Sequence, residues 1–142
     1  RQNLPFSARS AQQVLDIRKG GYTLNDVPGA KAVLIATGSE IGVALAAQKL
    51  LAESGLPVRV VSMPCTRLFD LQDAAYKTAV LGQGLPRVAI EAGVSDGWYK
   101  YVGLEGAVIG LDRFGESGPA GTLFKHFGLT PERVAETVKE LV

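Results

Sequence analysis

The stretch Ala32-Val33-Leu34-Ile35-Ala36-Thr37-Gly38-Ser39-Glu40 sets five apolar residues in a row and follows them with a small, polar turn. A run of that length is a strand rather than a helix, and its unbroken apolar character marks a strand covered on both faces. Helical spacing comes next. Over residues 39–53, Ile41, Ala44, Leu45, Ala47 and Leu51 make one apolar face, Thr37 and Glu40 stand three apart as a capping box requires, and Gly55 supplies a stop. Strand, turn and helix in this order begin a crossover unit, so the stretch predicts a parallel sheet under helices.

Outward from it, residues 58–63, 87–91 and 107–111 repeat the short apolar run, and residues 22–24 add a fifth strand at an edge, before a turn at 25–29. Further helices are expected over residues 72–81, 96–102 and 119–127, the last stopping at Gly128. The final one is capped by Thr130, has Pro131 at its first position and runs to Leu141. The expected fold is α/β: a doubly wound, mostly parallel five-stranded sheet with right-handed crossovers and helices on both faces. Residues 1–10 are polar and Pro-interrupted and only 11–18 suit a helix, so residues 1–20 read as an interdomain linker and 21–142 as the domain.

Composition narrows the function. With 142 residues, 46% of them hydrophobic, the chain fits one domain with a real core. Its fifteen Lys and Arg are scattered and the net charge is +1, which gives no footprint for nucleic acid or an anionic membrane. The apolar runs are far shorter than the roughly 20 residues of a membrane helix. Single copies of cysteine, Cys65, and histidine, His126, exclude an internal disulfide and a closed zinc site built from Cys and His, and point to a reducing cytoplasm. With Arg1 first and Met63 the only methionine, the sequence is expected to be a piece of a longer polypeptide.

In an open parallel sheet ligands bind beyond the carboxyl ends of the strands, so the turns there are the candidate sites. Thr37-Gly38-Ser39-Glu40 offers hydroxyls and free N–H groups at a helix start, although Glu40 would repel phosphate and a plain cap accounts for the residues. Pro64-Cys65-Thr66-Arg67 brings a thiol and a guanidinium to the same rim, with no histidine nearby in sequence to activate Cys65. The turn from Glu91 to Gly97 holds two carboxylates with acid and base potential, with Ser95 or Asp96 as the cap of the following helix. The glycine-rich run from Gly110 to Pro119 resembles a phosphate cradle only loosely, because Asp112 and Glu116 are acidic. His126 lacks a visible partner for proton transfer. Trp98, Tyr101 and Val102 share a helical face, as core or, if exposed, as an interface anchor.

A series of short motifs adds to this reading. Arg1-Gln2-Asn3-Leu4-Pro5, Gly20-Gly21-Tyr22, Ala36-Thr37-Gly38-Ser39-Glu40, Val60-Val61-Ser62-Met63-Pro64, Gln72-Asp73-Ala74-Ala75-Tyr76, Glu91-Ala92-Gly93, the run from Trp98 to Leu104 and Phe114-Gly115-Glu116-Ser117 follow one another through the chain. In order and spacing they resemble the third domain of bacterial-type transketolases. The resemblance implies a homodimeric parent that uses thiamine diphosphate and a divalent cation, magnesium or calcium, to move a two-carbon ketol unit from a ketose phosphate to an aldose phosphate. It implies that the missing first two domains hold cofactor and metal, that this domain supports the dimer, and that the chain alone is inactive. Arg1 matches the family arginine that contacts the sugar phosphate, a task suited to a forked guanidinium. Two other readings stand beside it: a regulatory small-ligand module using the turns at 37–39 and 115–118, and the third domain of a related thiamine enzyme, such as a deoxyxylulose-phosphate synthase or a 2-oxoacid dehydrogenase β subunit.

Overall fold

A computed structural model describes residues 4–142. The chain forms α1 (Ala11–Ile17), β1 (Tyr22–Asn25), β2 (Ala32–Ala36), α2 (Glu40–Glu53), β3 (Val58–Ser62), α3 (Thr66–Asp70) and α4 (Ala74–Leu81). Then follow β4 (Arg87–Ile90), a 3-10 turn (Asp96–Trp98) leading into α5 (Tyr99–Val102), β5 (Ala107–Ile109), α6 (Ala120–His126) and α7 (Pro131–Leu141). The strands lie in the order β1-β3-β2-β4-β5; β1 is antiparallel to β3 and the other neighbours are parallel. This is the expected doubly wound sheet, with the short edge strand in its expected place.

The central strand explains the two-sided core. All five residues of β2 are buried, and because successive side chains point to opposite faces, its run divides into two sets. Ala32, Leu34 and Ala36 join Val58, Val60, Val88 and Ile90 under α2 and α7, whose Ala44, Ala47, Leu51, Val134 and Val138 cover them. Val33 and Ile35 join Val61 and Ala89 under Phe69, Val80, Trp98, Tyr101 and Val102 on the other face. Each fully buried aliphatic side chain stabilises by roughly 1.5–3 kcal/mol. The caps supply far less, on the order of 1 kcal/mol each. Packing against the sheet therefore holds the short helices.

Buried and half-buried polar side chains tie the elements together. Gln48 on α2 donates to the Val58 carbonyl at 2.8 Å and accepts from the Asn25 side chain at 2.8 Å, so one buried amide ties α2 to two strands. On the opposite face two strand arginines close helix ends. Arg59 donates to the carbonyls of Ala79 (2.6 Å) and Val80 (3.2 Å), and grips Asp26 with two bonds of 2.9 Å. Arg87 donates to the carbonyls of Leu81 (3.0 Å), Gly82 (2.8 Å) and Tyr101 (3.0 Å). The last turn of α4 holds no basic residue, so cations from the sheet serve its negative end.

Local expectations fare unevenly. Thr130 caps α7 through a 3.3 Å bond from the Arg133 N–H, with Pro131 at the helix start. The capping box of Thr37 and Glu40 does not form: Ser39 holds the cap position without a capping side-chain bond, and its hydroxyl donates to Glu40 Oε1 at 2.8 Å. The helix expected over residues 72–81 starts later, where Asp73 accepts from the Tyr76 N–H at 2.7 Å, and the chain forms α3 ahead of it. Neither Ser95 nor Asp96 caps α5. Trp98 is only 7% exposed, so its place is in the core and not at a surface anchor.

Candidate functional site

Because β2, β3, β4 and β5 run parallel, their following turns gather at one rim. Chain direction divides between β2 and β4: the path from β2 crosses to β3 on one side, and that from β4 to β5 on the other. Such a divide opens a crevice. Here it is a cleft of about 540 Å³ whose walls include Thr37, Cys65, Thr66, Arg67, Glu91, Gly93 and Trp98, so three of the four turns singled out in the sequence meet in it. The fourth forms a separate groove of about 400 Å³ with α6, lined by Leu111, Gly115, Glu116, Pro119, Leu123 and Phe124 among others.

Glu91 lines the crevice, and the Glu40 charge is close enough to act on it. Glu40, 4% exposed at the start of α2, and Glu91, just past β4, come from different turns, and Glu91 Oε2 is buried with no hydrogen-bond partner among the described residues. Burial, reinforced by the Glu40 charge, holds the Glu91 carboxyl above the usual glutamate range. Asp96, the partner that spacing offered Glu91, is exposed. Helix periodicity and turn spacing cannot show that β2 and β4 are neighbours, which is what brings Glu40 to Glu91.

A pH signature follows from Glu91. A carboxyl raised in the fold keeps its proton where the unfolded chain has lost it, so stability falls as pH rises from the ordinary value of 4.5 through the folded one. Glu91→Gln removes this contribution. Its urea midpoint, relative to that of the parent chain, is expected to be higher at pH 8 than at pH 4; an offset independent of pH would refute the raised carboxyl.

The other turns are tied together. Asp112 accepts from the Ser95 N–H at 2.8 Å and the Ser95 hydroxyl at 2.7 Å, and these bonds hold its carboxyl below the usual aspartate range. Glu116 accepts from Arg113 at 3.1 Å and lies 3.5 Å from His126 Nε2, giving the histidine the neighbour that the sequence did not reveal. Cys65 is partly exposed in the cleft, and no histidine lines that cleft.

The described residues do not fit a diphosphate and its cation. They hold no group of three or more His, Cys, Asp and Glu able to ligate a metal, and the turn before α2 presents buried Glu40 to any phosphate there. No described helix is long and apolar enough to cross a membrane. Arg1, with Gln2 and Asn3, lies outside the described residues. Leu4, Pro5, Phe6, Ser7 and Arg9 do have a place: they share a groove of about 410 Å³ with Gly38, Ser39, Ile41, Gly42, Leu45 and Ser62.

Fold and rim together define an open, mostly parallel α/β domain with a crevice at the carboxyl ends of its strands. The family profile described as the Transketolase-like TK C-terminal domain matches residues 20–130. The chain belongs to the transketolase C-terminal domain family. Along its whole length it is 56% identical to Transketolase 1 of Vibrio cholerae serotype O1, and along 98% of it 52% identical to the plasmid transketolase of Cupriavidus necator. It spans about a fifth of each, 22% and 21%.

Solved structures agree. A transketolase complex with sedoheptulose-7-phosphate from Pichia stipitis matches 99% of the chain at a TM-score of 0.89 and 41% identity, over 20% of its own length. Transketolase from Leishmania mexicana matches 90% at 0.83 and 48% identity, over 18% of its length. A split-gene transketolase described as an inactive β4 tetramer matches 87% at 0.67 and 25% identity, over 42% of its length.

Proposed function

We propose that this chain serves as the third domain of a thiamine diphosphate-dependent transketolase, which moves a two-carbon ketol unit from a ketose phosphate to an aldose phosphate in the cytoplasm. The observation that carries the proposal is the 56% identity to a transketolase over the whole chain, confined to 22% of that relative. The cofactor, with magnesium or calcium, supplies the carbanion chemistry and sits in the remainder of the polypeptide, a reading supported by the buried Glu40 at the turn before α2. Residues 1–20 join the two parts, and residues 21–142 support a homodimer. The split-gene relative, a subunit that includes a domain of this fold and assembles as an inactive tetramer, fits a domain that associates without catalysing.

The domain's contact with substrate is Arg1, which binds the phosphate of the sugar. In the full-length enzyme, Arg1→Gln is expected to raise KM for a ketose phosphate by about 10- to 100-fold, the worth of a charge-assisted bidentate contact, while kcat changes little. An unchanged KM would remove Arg1 from the site. The 142-residue chain mixed with sugar phosphates, thiamine diphosphate and magnesium should transfer no ketol unit. Transfer above blank would overturn the supporting role of the domain.

A further inference from the structure

Among the described residues, one side chain hydrogen-bonds the segment before α1 to the sheet. Arg9 donates through Nε to the Tyr22 hydroxyl at 2.9 Å, and through Nη1 to the carbonyls of Ser7 at 2.8 Å and Ala8 at 3.3 Å. Tyr22 is 3% exposed and opens β1, where it pairs with Ser62 of β3. A continuous path thus leads from the sheet through Tyr22 and Arg9 to the backbone of residues 7–8. Among the described residues, no other hydrogen bond reaches the backbone of residues 4–8.

The helix that follows has its own anchors. Ser10 and Gln13 close a reciprocal capping box, and Gln13 Nε2 donates to the carbonyls of Thr23 (3.3 Å) and Leu24 (2.7 Å). Loss of the Arg9 contacts therefore frees the segment ahead of α1 and leaves α1 in place. Leu4 and Phe6 are 55% and 95% exposed, so little hydrophobic burial holds this segment by itself.

We propose that Arg9, braced by the Tyr22 hydroxyl, is a positioning residue for Arg1: it fixes the lead-in so that the Arg1 guanidinium is presented to the sugar phosphate. This rests on the reading of Arg1 as the phosphate ligand. Fixing the chain close to a binding group raises that group's effective concentration at its target. Freed from Ser7 back to Arg1, the lead-in spans up to roughly 20–25 Å when extended, a large volume in which to lose one guanidinium. A contact that acts only by presenting Arg1 changes substrate binding and not the chemical step, and it changes nothing for a substrate without the phosphate.

The test is steady-state kinetics of the full-length enzyme with a ketose phosphate and with the same ketose lacking its phosphate. Arg9→Gln and Tyr22→Phe are each expected to raise KM for the phosphorylated sugar about 3- to 10-fold, with kcat within about twofold and KM for the unphosphorylated sugar unchanged. Tyr22→Phe keeps the buried ring, so folding is preserved. Combined with Arg1→Gln, Arg9→Gln should add nothing, because its effect runs through Arg1. Additive effects in that pair, or equal effects on both sugars, would overturn the positioning role while leaving Arg1 as the ligand. If Arg1→Gln itself leaves KM for the phosphorylated sugar unchanged, the assignment of Arg1 falls and this inference with it.

Discussion

Phe69→Ala is expected to destabilise the chain by about 3–5 kcal/mol, the range for truncating a buried phenylalanine. Phe69 is fully buried, and its ring lies 6.0 Å from that of Tyr101 and 6.3 Å from that of Tyr76, tilted at 58° and 60°. Such tilted pairs add about 0.5–1.5 kcal/mol beyond area burial. The ring also occupies the space beside Gly21, where an added Cβ would stand 2.7 Å from Phe69 Cδ2. Helix α3, which carries Phe69, has five residues, too few to persist without packing. Removing the ring therefore leaves a cavity and also unfastens α3 from the sheet. Thermal melting should drop by about 10–20 °C, and urea unfolding should give the free energy directly. A loss below about 1.5 kcal/mol would mean that the site collapses around the smaller residue, and that Phe69 does not hold α3.

That α3 escaped the sequence reading has a physical cause. Thr66-Arg67-Leu68-Phe69-Asp70 is too short to show a period, and Leu68 and Phe69 are adjacent, so one is 42% exposed while the other is fully buried. Long unbroken runs were legible because burial on both faces leaves no polar position: β2 reads as a core strand from its own residues. Thr130 and Pro131 were legible for a similar reason, since a cap acts within one turn of its helix. Thr37 and Glu40 had the right spacing for a box, but the backbone turned at Ser39 and took both side chains out of register with it.

Features that depend on strand order stayed hidden. Arg59 and Arg87 close helix ends across the sheet, and nothing in their immediate sequence names the carbonyls they meet. The crevice has the same character. Glu40 and Glu91 stand 51 positions apart, and only the placement of β4 beside β2 brings their turns together. Its location was legible as a class, the carboxyl ends of parallel strands, and so were the turns that line it, but which of those turns meet was not. Tyr22 could be placed on an edge strand, but its bond to Arg9 needed the path of a segment with no secondary structure.

Gly20→Ala is expected to cost as much as a core truncation, about 3 kcal/mol or more, for two separable reasons. Gly20 has φ +86°, where a side chain costs roughly 1–2 kcal/mol. The added Cβ would also press on the Cys65 carbonyl oxygen, and would stand 2.5 Å from the Phe69 nitrogen and 2.7 Å from Leu68 Cβ. Two of these three neighbours are backbone, and the Cys65 N–H donates to the Gly20 carbonyl at 2.9 Å, so neither segment can retreat without breaking that bond. Gly29 supplies the comparison: its φ is +72°, and an added Cβ there meets nothing within 4 Å. Gly29→Ala should therefore lose only the conformational share, near 1 kcal/mol, and the excess at Gly20 measures how closely the loop before β1 is pressed against α3. Equal urea midpoints for the two variants would show that this contact yields freely, and would weaken the case for a rigid frame beneath Tyr22 and Arg9.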